Sequence, residues 1–263
     1  MSDQRLILPA LSMTTTLLLT PMMAHAEPTL PGRASPESVT PDGPVNPRSG
    51  APRNWEEPVH DDALYSQVMV DRLEYRSGSG SPDAWLWDAQ GWWGNDRNRF
   101  VWKTEGEGPV SNGSPESTEF QALYSHLVAP FWSLQTGVRY DVNPDPDRAY
   151  GVLGMQGTAP GMIETDVALF ASEEGDVSLR GEFEYDMRLT QRLILQPRVE
   201  INASLQDVPE YEREQGINST EAGLRLRYEL MREVAPYMGI SHERDHDRNE
   251  STTSLVAGLR VWY

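Results

Sequence analysis

The sequence contains no cysteine in its 263 residues. That one absence excludes disulfides, thiolate metal sites and cysteine nucleophiles together. Histidine is scarce too, at five in the chain, so few imidazole sites are available. Beyond the first 26 residues there is no apolar run of about 18, the length a membrane-spanning helix requires. Positive charge is in the minority, with 22 Lys and Arg against 40 Asp and Glu and a formal net charge of -18. This balance argues against nucleic acid as a partner and suits cations or a salty environment. The length fits one sizeable domain or two small ones.

Aromatic residues and strict alternation are what the chain does hold. Its 8 Trp and 10 Tyr are many for a polar chain, and girdles at the two interfaces of a bilayer are a ready use for them. The clearest alternation runs from Val177 to Leu205, VSLRGEFEYDMRLTQRLILQPRVEINASL. In its first arm Val177, Leu179, Phe183, Tyr185, Met187 and Leu189 share one face, and Arg180, Glu182, Glu184, Asp186 and Arg188 share the other. The second arm repeats the pattern, with Leu195, Val199 and Ile201 opposite Gln196, Arg198 and Glu200. Each arm exceeds the roughly 5 or 6 residues usual in globular strands. Each reaches the roughly 9 to 11 needed to cross a bilayer at a tilt. Pro197 cannot donate to a ladder, so a bulge or local fraying is expected there.

Residues 1–26, with Arg5, the Leu17-Leu18-Leu19 stretch and Ala24-His25-Ala26, read as a secretory signal peptide. Residues 27–60 are rich in Pro, Gly, Ser and charge and too poor in apolar groups to offset ordering entropy, so they read as a disordered periplasmic tail. Residues 61–263 then divide into twelve alternating segments. Short turns at Pro130, Ala159 to Gly161, Thr190 to Arg192 and Met231 to Glu233 alternate with longer loops at Gly108 to Glu116, Val142 to Ala149, Gln206 to Asn218 and His242 to Ser251. Glu173 to Asp176 is short for its side. An even strand count with connections of alternating length predicts an all-β fold, a transmembrane antiparallel up-and-down barrel of about 12 strands in the outer membrane with periplasmic N- and C-termini. Closure is required, because an open sheet edge in lipid leaves backbone groups unpaired at several kcal/mol each. At the end of the chain Leu255, Ala257, Leu259, Val261 and Tyr263 share a face, and an aromatic terminal residue on such a strand resembles the assembly signal of bacterial outer-membrane proteins.

Several segments carry a more specific resemblance. They are VDRLEY (70–75), WDAQGWWG (87–94), QALYS followed by APFWSLQTGVRYD (121–141), LTQRLILQPRVEIN (189–202), GLRLRYE with APY (223–237) and the terminal AGLRVWY. Together they resemble the copper resistance protein B family of outer-membrane proteins across nearly the whole predicted barrel. The resemblance implies a copper-binding protein of the outer membrane that contributes to copper homeostasis by moving or sequestering the metal. Its implied partners are copper ions, the lipid bilayer and periplasmic copper-handling proteins. Family members often carry a Met- and His-rich N-terminal segment, whereas 27–55 here has neither residue. Copper handling is then expected to rest on the barrel and its loops.

Copper(I) prefers thioether and imidazole, and copper(II) imidazole with carboxylate or carbonyl oxygen. His60, Asp61 and Asp62 stand just before the first strand and put an imidazole beside two carboxylates; the plainer reading is a solvated approach to the barrel. His242 and His246 lie in the acidic stretch SHERDHDRNE. On an extended strand that spacing parts them by about 13 Å, too far for one ion. A looped conformation brings them together, and the plainer reading is an acidic solvated loop. These five residues are the candidate metal ligands. His126 has lipid-face parity near the rim, Met187 and Met238 are expected to face lipid, and Met69 and Met155 are candidates for the lumen.

Arg139, Glu164, Asp166, Arg180, Glu182, Glu184, Asp186, Arg188, Arg198, Glu200, Glu221, Arg225, Arg227, Glu229 and Arg260 all have inward parity. Interior ions persist only when paired or hydrated, so a cross-barrel ion-pair network that narrows or plugs the channel is expected. No nucleophile, base and orienting group share a face, so an enzyme such as a phospholipase is not expected. The chief rival is a general porin, whose charged lumen conducts ions without metal specificity.

Overall fold

The computed structural model describes residues 63–78, 82–111, 113–143, 147–209 and 213–263. The expected signal peptide and tail, and His60, Asp61 and Asp62, lie outside the described residues. Thirteen strands form one sheet: β1 Tyr65–Gly78, β2 Ala84–Gly94, β3 Asn98–Pro109, β4 Ser117–Ala129, β5 Trp132–Asn143, β6 Arg148–Ala159, β7 Ile163–Ser172, β8 Val177–Tyr185, β9 Met187–Arg188, β10 Leu193–Ser204, β11 Gly216–Tyr228, β12 Val234–Asp245 and β13 Glu250–Trp262. Each pairs antiparallel with its chain neighbours, and β13 returns to β1. β8 and β9 both pair with β10 in one continuous register, so they are two pieces of a single stave. The result is a closed barrel of twelve staves.

The interruption of that stave has an identifiable cause. Extending the register places Tyr185 and Asp186 opposite Pro197 and Gln196, and Pro197 has no N–H to give. The ladder therefore frays on the β8 side, while Pro197 keeps its place opposite Leu224 on β11 without a shift. The expected alternative, a bulge at Pro197, is not what forms. A bulge occurs instead in β1, where Val70 faces Ala89 and Arg72 faces Asp88, leaving Asp71 as the extra residue.

Leu73, Tyr75, Val138, Phe183, Leu224, Met238 and Leu255 are among the large apolar residues exposed on the outside. In water so continuous a surface would drive aggregation, whereas in hydrocarbon it is the matched surface. Where β2 meets β3 the outer face is levelled by tryptophan over glycine: the Trp87 ring covers Gly106 and the Trp102 ring covers Gly91, each filling the space a Cβ would need. Trp93, Phe100, Tyr228 and Tyr263 ring the rim that holds the start of β1 and the end of β13. Toward the other rim Tyr75 and Tyr140 donate to Asp83 at 2.5 Å and Asp147 at 3.0 Å. Two aromatic girdles thus bracket the apolar belt, as two bilayer interfaces require. Inside, a small apolar cluster of Val101, Leu123, Val152 and Phe170 lines the wall formed by β3, β4, β6 and β7.

Candidate functional site: the charged lumen

Alternation sends every second side chain inward, and on this barrel those side chains are mostly charged. The β1 bulge adds to the supply, because Asp71 and Arg72, adjacent in sequence, both enter ion pairs inside. Along the arc from β10 round to β1 the charges pack tightly. Glu74 accepts from Arg76 Nε and Arg225 Nε, each at 2.8 Å. Arg76 and Arg225 also reach Glu221, at 3.1 and 3.5 Å. Arg198 lies among three carboxylates, Glu200 at 2.6 Å, Glu182 at 2.7 Å and Glu184 at 3.1 Å. Arg72 joins this group to the next strands through Asp88 and Glu105, both at 2.9 Å. The side chains of Arg72, Arg198 and Arg225 are each only 2% exposed. Charges so dehydrated persist because every guanidinium has carboxylate partners.

The opposite arc is bridged rather than filled. Arg180 on β8 reaches across the lumen to Glu119 on β4, with Nη2 at 2.9 Å from Oε2, and to Glu105 on β3, with Nη1 at 3.3 Å from Oε2. Its Nε donates to Asn202 at 3.2 Å. Glu119 is shared with Arg139, whose guanidinium lies over the Phe170 ring at 4.6 Å and is held from behind by Asp141 at 2.7 Å. Lys103 pairs with Asp166 across β3 and β7. A cavity of about 290 Å³ remains toward the rim of the chain ends, and cavities of about 150 and 220 Å³ toward the other. Outside the spanning segments, the Asp83 carboxyl is held below its ordinary range by hydrogen bonds from the Tyr75 and Ser77 hydroxyls.

The expected ion-pair network is therefore present, and larger than the inward list above. Parity alone did not pick out Arg72, Glu74, Arg76, Asp88, Glu105 and Glu119, nor Asp71, Lys103 and Asp141. For the first three a signal existed: Leu73 and Tyr75 face out, so Arg72, Glu74 and Arg76 must face in once the bulge is allowed for, and two consecutive polar residues, Asp71-Arg72, mark the bulge. In β2 the tryptophans occupy both parities, which hides Asp88.

The candidate metal ligands that fall within the described residues are not brought together. His242 Nδ1 lies 2.8 Å from Thr253 Oγ1 on β13, and His246 Nε2 lies 3.2 Å from Thr220 Oγ1 on β11. The two imidazoles thus engage opposite neighbours of β12. Among the described residues no group of three or more His, Asp or Glu is disposed to hold a metal ion. His126, bonded to Asn98 at 2.7 Å and stacked on Tyr124, faces outward near the rim as expected. Of the two methionines considered for the lumen, Met69 lines it and accepts from Arg260 Nη2 at 3.3 Å. Met155 instead lies on the outer face, paired with Leu134 and Val167, because β6 turns its even-numbered residues inward. A lumen of arginine-bound carboxylates and one committed thioether does not fit the imidazole and thioether preference of copper.

A closed antiparallel barrel with an apolar outer belt, paired aromatic girdles and a charged interior is an outer-membrane β-barrel protein. The family model described as copper resistance protein B precursor (CopB) matches residues 64–263. Copper resistance protein B of Escherichia coli is 39% identical over 215 residues, covering 78% of this chain and 72% of that protein. The copper resistance protein B homolog of Pseudomonas syringae pv. tomato is 34% identical over the same shares. The chain belongs to the copper resistance protein B family, and its role lies in copper resistance. Among solved structures, the NanC porin aligns with a TM-score of 0.49 and 13% identity over 75% of this chain and 99% of its own. The KdgM porin bound to disordered oligogalacturonate aligns with 0.46 and 12% over 74% and 98%.

Proposed function

We propose that this protein contributes to copper resistance by binding copper at the ends of the barrel, as a binding protein of the outer membrane and not a catalyst. The observation that carries the reading is the pairing of most inner carboxylates with guanidiniums, while the imidazoles among the described residues, His126, His242 and His246, stand toward the ends of the barrel. His60 with Asp61 and Asp62 is the proposed entry site, facing the periplasm and open to periplasmic copper-handling proteins. His242 and His246, each hydrogen-bonded to a threonine hydroxyl, are proposed as separate ligands on the opposite side. The tail at 27–55, without His, Met or Cys, has only oxygen, amine and amide donors, which select copper poorly.

The test compares copper binding by the chain lacking residues 1–26, by a chain beginning at Trp55, and by the His60→Ala and His242→Ala/His246→Ala variants. Removing the tail should leave binding unchanged, and His60→Ala should weaken it. Protons compete with metal for imidazole, so binding should also weaken as pH falls through the imidazole range near about 6.5. Loss of binding on deleting the tail, with none from His60→Ala, would reverse the assignment. Absence of binding in all four proteins would favour a plain ion-conducting barrel.

A further inference from the structure

Arg180 is the one residue common to the walls of all three cavities described above, the one toward the chain ends and the two toward the long loops. Its place in the cross-section explains why. The arc from β10 to β1 is filled by Arg72, Arg198 and Arg225 with their carboxylates, dehydrated and packed. The arc from β3 to β8 is bridged at mid-height by the extended Arg180 side chain, whose guanidinium is anchored on Glu105 and Glu119 and backed by Asn202 and Glu200. Arg180 is also the most exposed guanidinium of the lumenal network, with a side chain 21% exposed against 2% for those three arginines. A hydrated guanidinium exchanges protein partners for water at far lower cost than a dehydrated one. One other chord, Lys103 to Asp166, crosses the lumen, but both members line only the cavity toward the chain ends.

We propose that Arg180 is the bar of a gate: while it spans to Glu105 and Glu119 the barrel is closed at mid-height, and its release joins the cavities into one cation-conducting path. The sign of the permeant ion follows from the walls. Acidic side chains outnumber basic ones by eight to three around the 290 Å³ cavity and by seven to four around the 220 Å³ cavity, and only the 150 Å³ cavity has a basic excess, four to two, which removal of Arg180 lowers. Charged walls of low dielectric concentrate counter-ions, here cations.

The test is conductance of the reconstituted barrel in planar lipid bilayers in potassium chloride, with folding checked by heat-modifiable gel mobility. Wild type should show little steady conductance. Arg180→Ala should conduct several-fold more, with a reversal potential of cation sign in a salt gradient, and Lys103→Ala should stay with wild type. If Arg180→Ala does not insert, Arg180→Lys decides on the same criteria, since an ammonium lacks the planar fork that holds two carboxylates at once. A folded Arg180 variant conducting no more than wild type, a preference for chloride, or opening by Lys103→Ala alone would overturn the proposal.

Discussion

At the scale of single residues, what distinguishes this barrel is the number of charges that exist only by virtue of one another. Glu74 is the sharpest case: its side chain is 0% exposed and its two oxygens serve Arg76 and Arg225. Removing it leaves two guanidiniums that have lost their nearest counter-charge in a site water does not reach. Breaking a buried pair from one side typically costs about 3 to 5 kcal/mol, because the abandoned charge stays buried. Arg76 and Arg225 retain Glu221, so Glu74→Ala should fall toward the lower end of that range. Equilibrium urea unfolding in lipid vesicles measures it, and a loss below about 1 kcal/mol would mean that this part of the lumen is hydrated and its pairs are worth no more than surface ones. The same reasoning sets Arg248 and Asp245 apart, since that pair sits exposed at 3.9 Å and contributes little.

At the scale of the element, the two faces of a stave answer to different solvents, and β8 shows both. Phe183 faces lipid near the middle of the stave, and Glu182, its neighbour, faces Arg198. Phe183→Arg should cost insertion about 2 to 4 kcal/mol near the bilayer midplane, whereas Glu182→Gln should leave insertion nearly intact and loosen the lumen instead. Normal insertion of the first with failure of the second would put the register off by one. How well a sequence discloses such an element depends on whether its outer face is uniformly apolar. The hairpin of β8 and β10 was legible because Leu179, Phe183, Val199 and Ile201 never exchange places with Arg180, Glu182, Arg198 and Glu200. The strand spans were legible to within a few residues for the same reason, and differ mainly where polar strand ends such as Ser241 to Asp245 extend beyond the membrane. The bulge at Asp71 was not, since a one-residue slip is invisible to a period-two count until the partner strand is known. Nor was the role of Arg180 as the cross-lumen tie, because its partners lie 61 and 75 residues away and parity says only that it points inward.

At the scale of the whole molecule, an even number of staves puts the start of β1 and the end of β13 on one rim, and Tyr263 seals the seam there by exchanging hydrogen bonds of 2.8 Å with Val68 in each direction. The same closure divides the connections by rim. On the rim of the chain ends, β4 passes to β5 and β6 to β7 through two or three residues, and the backbone takes left-handed conformations at Phe131, Gly161 and Met162 to manage it. On the other rim the chain between Pro109 and Ser117 and between Ser204 and Gly216 makes longer excursions. Barrels of this class keep short turns in the periplasm, through which the chain arrives, and longer loops outside, where no such constraint applies. The rim of the long loops should therefore face the cell exterior and both termini the periplasm. Epitope tags placed at 110–116 and at 205–215 should be cut by protease added to intact cells, and a tag at 160–162 should survive until the outer membrane is opened. Protection of both loop tags with cleavage at 160–162 would turn the barrel over, and with it the assignment of His60 to the periplasmic side and of His242 and His246 to the outside.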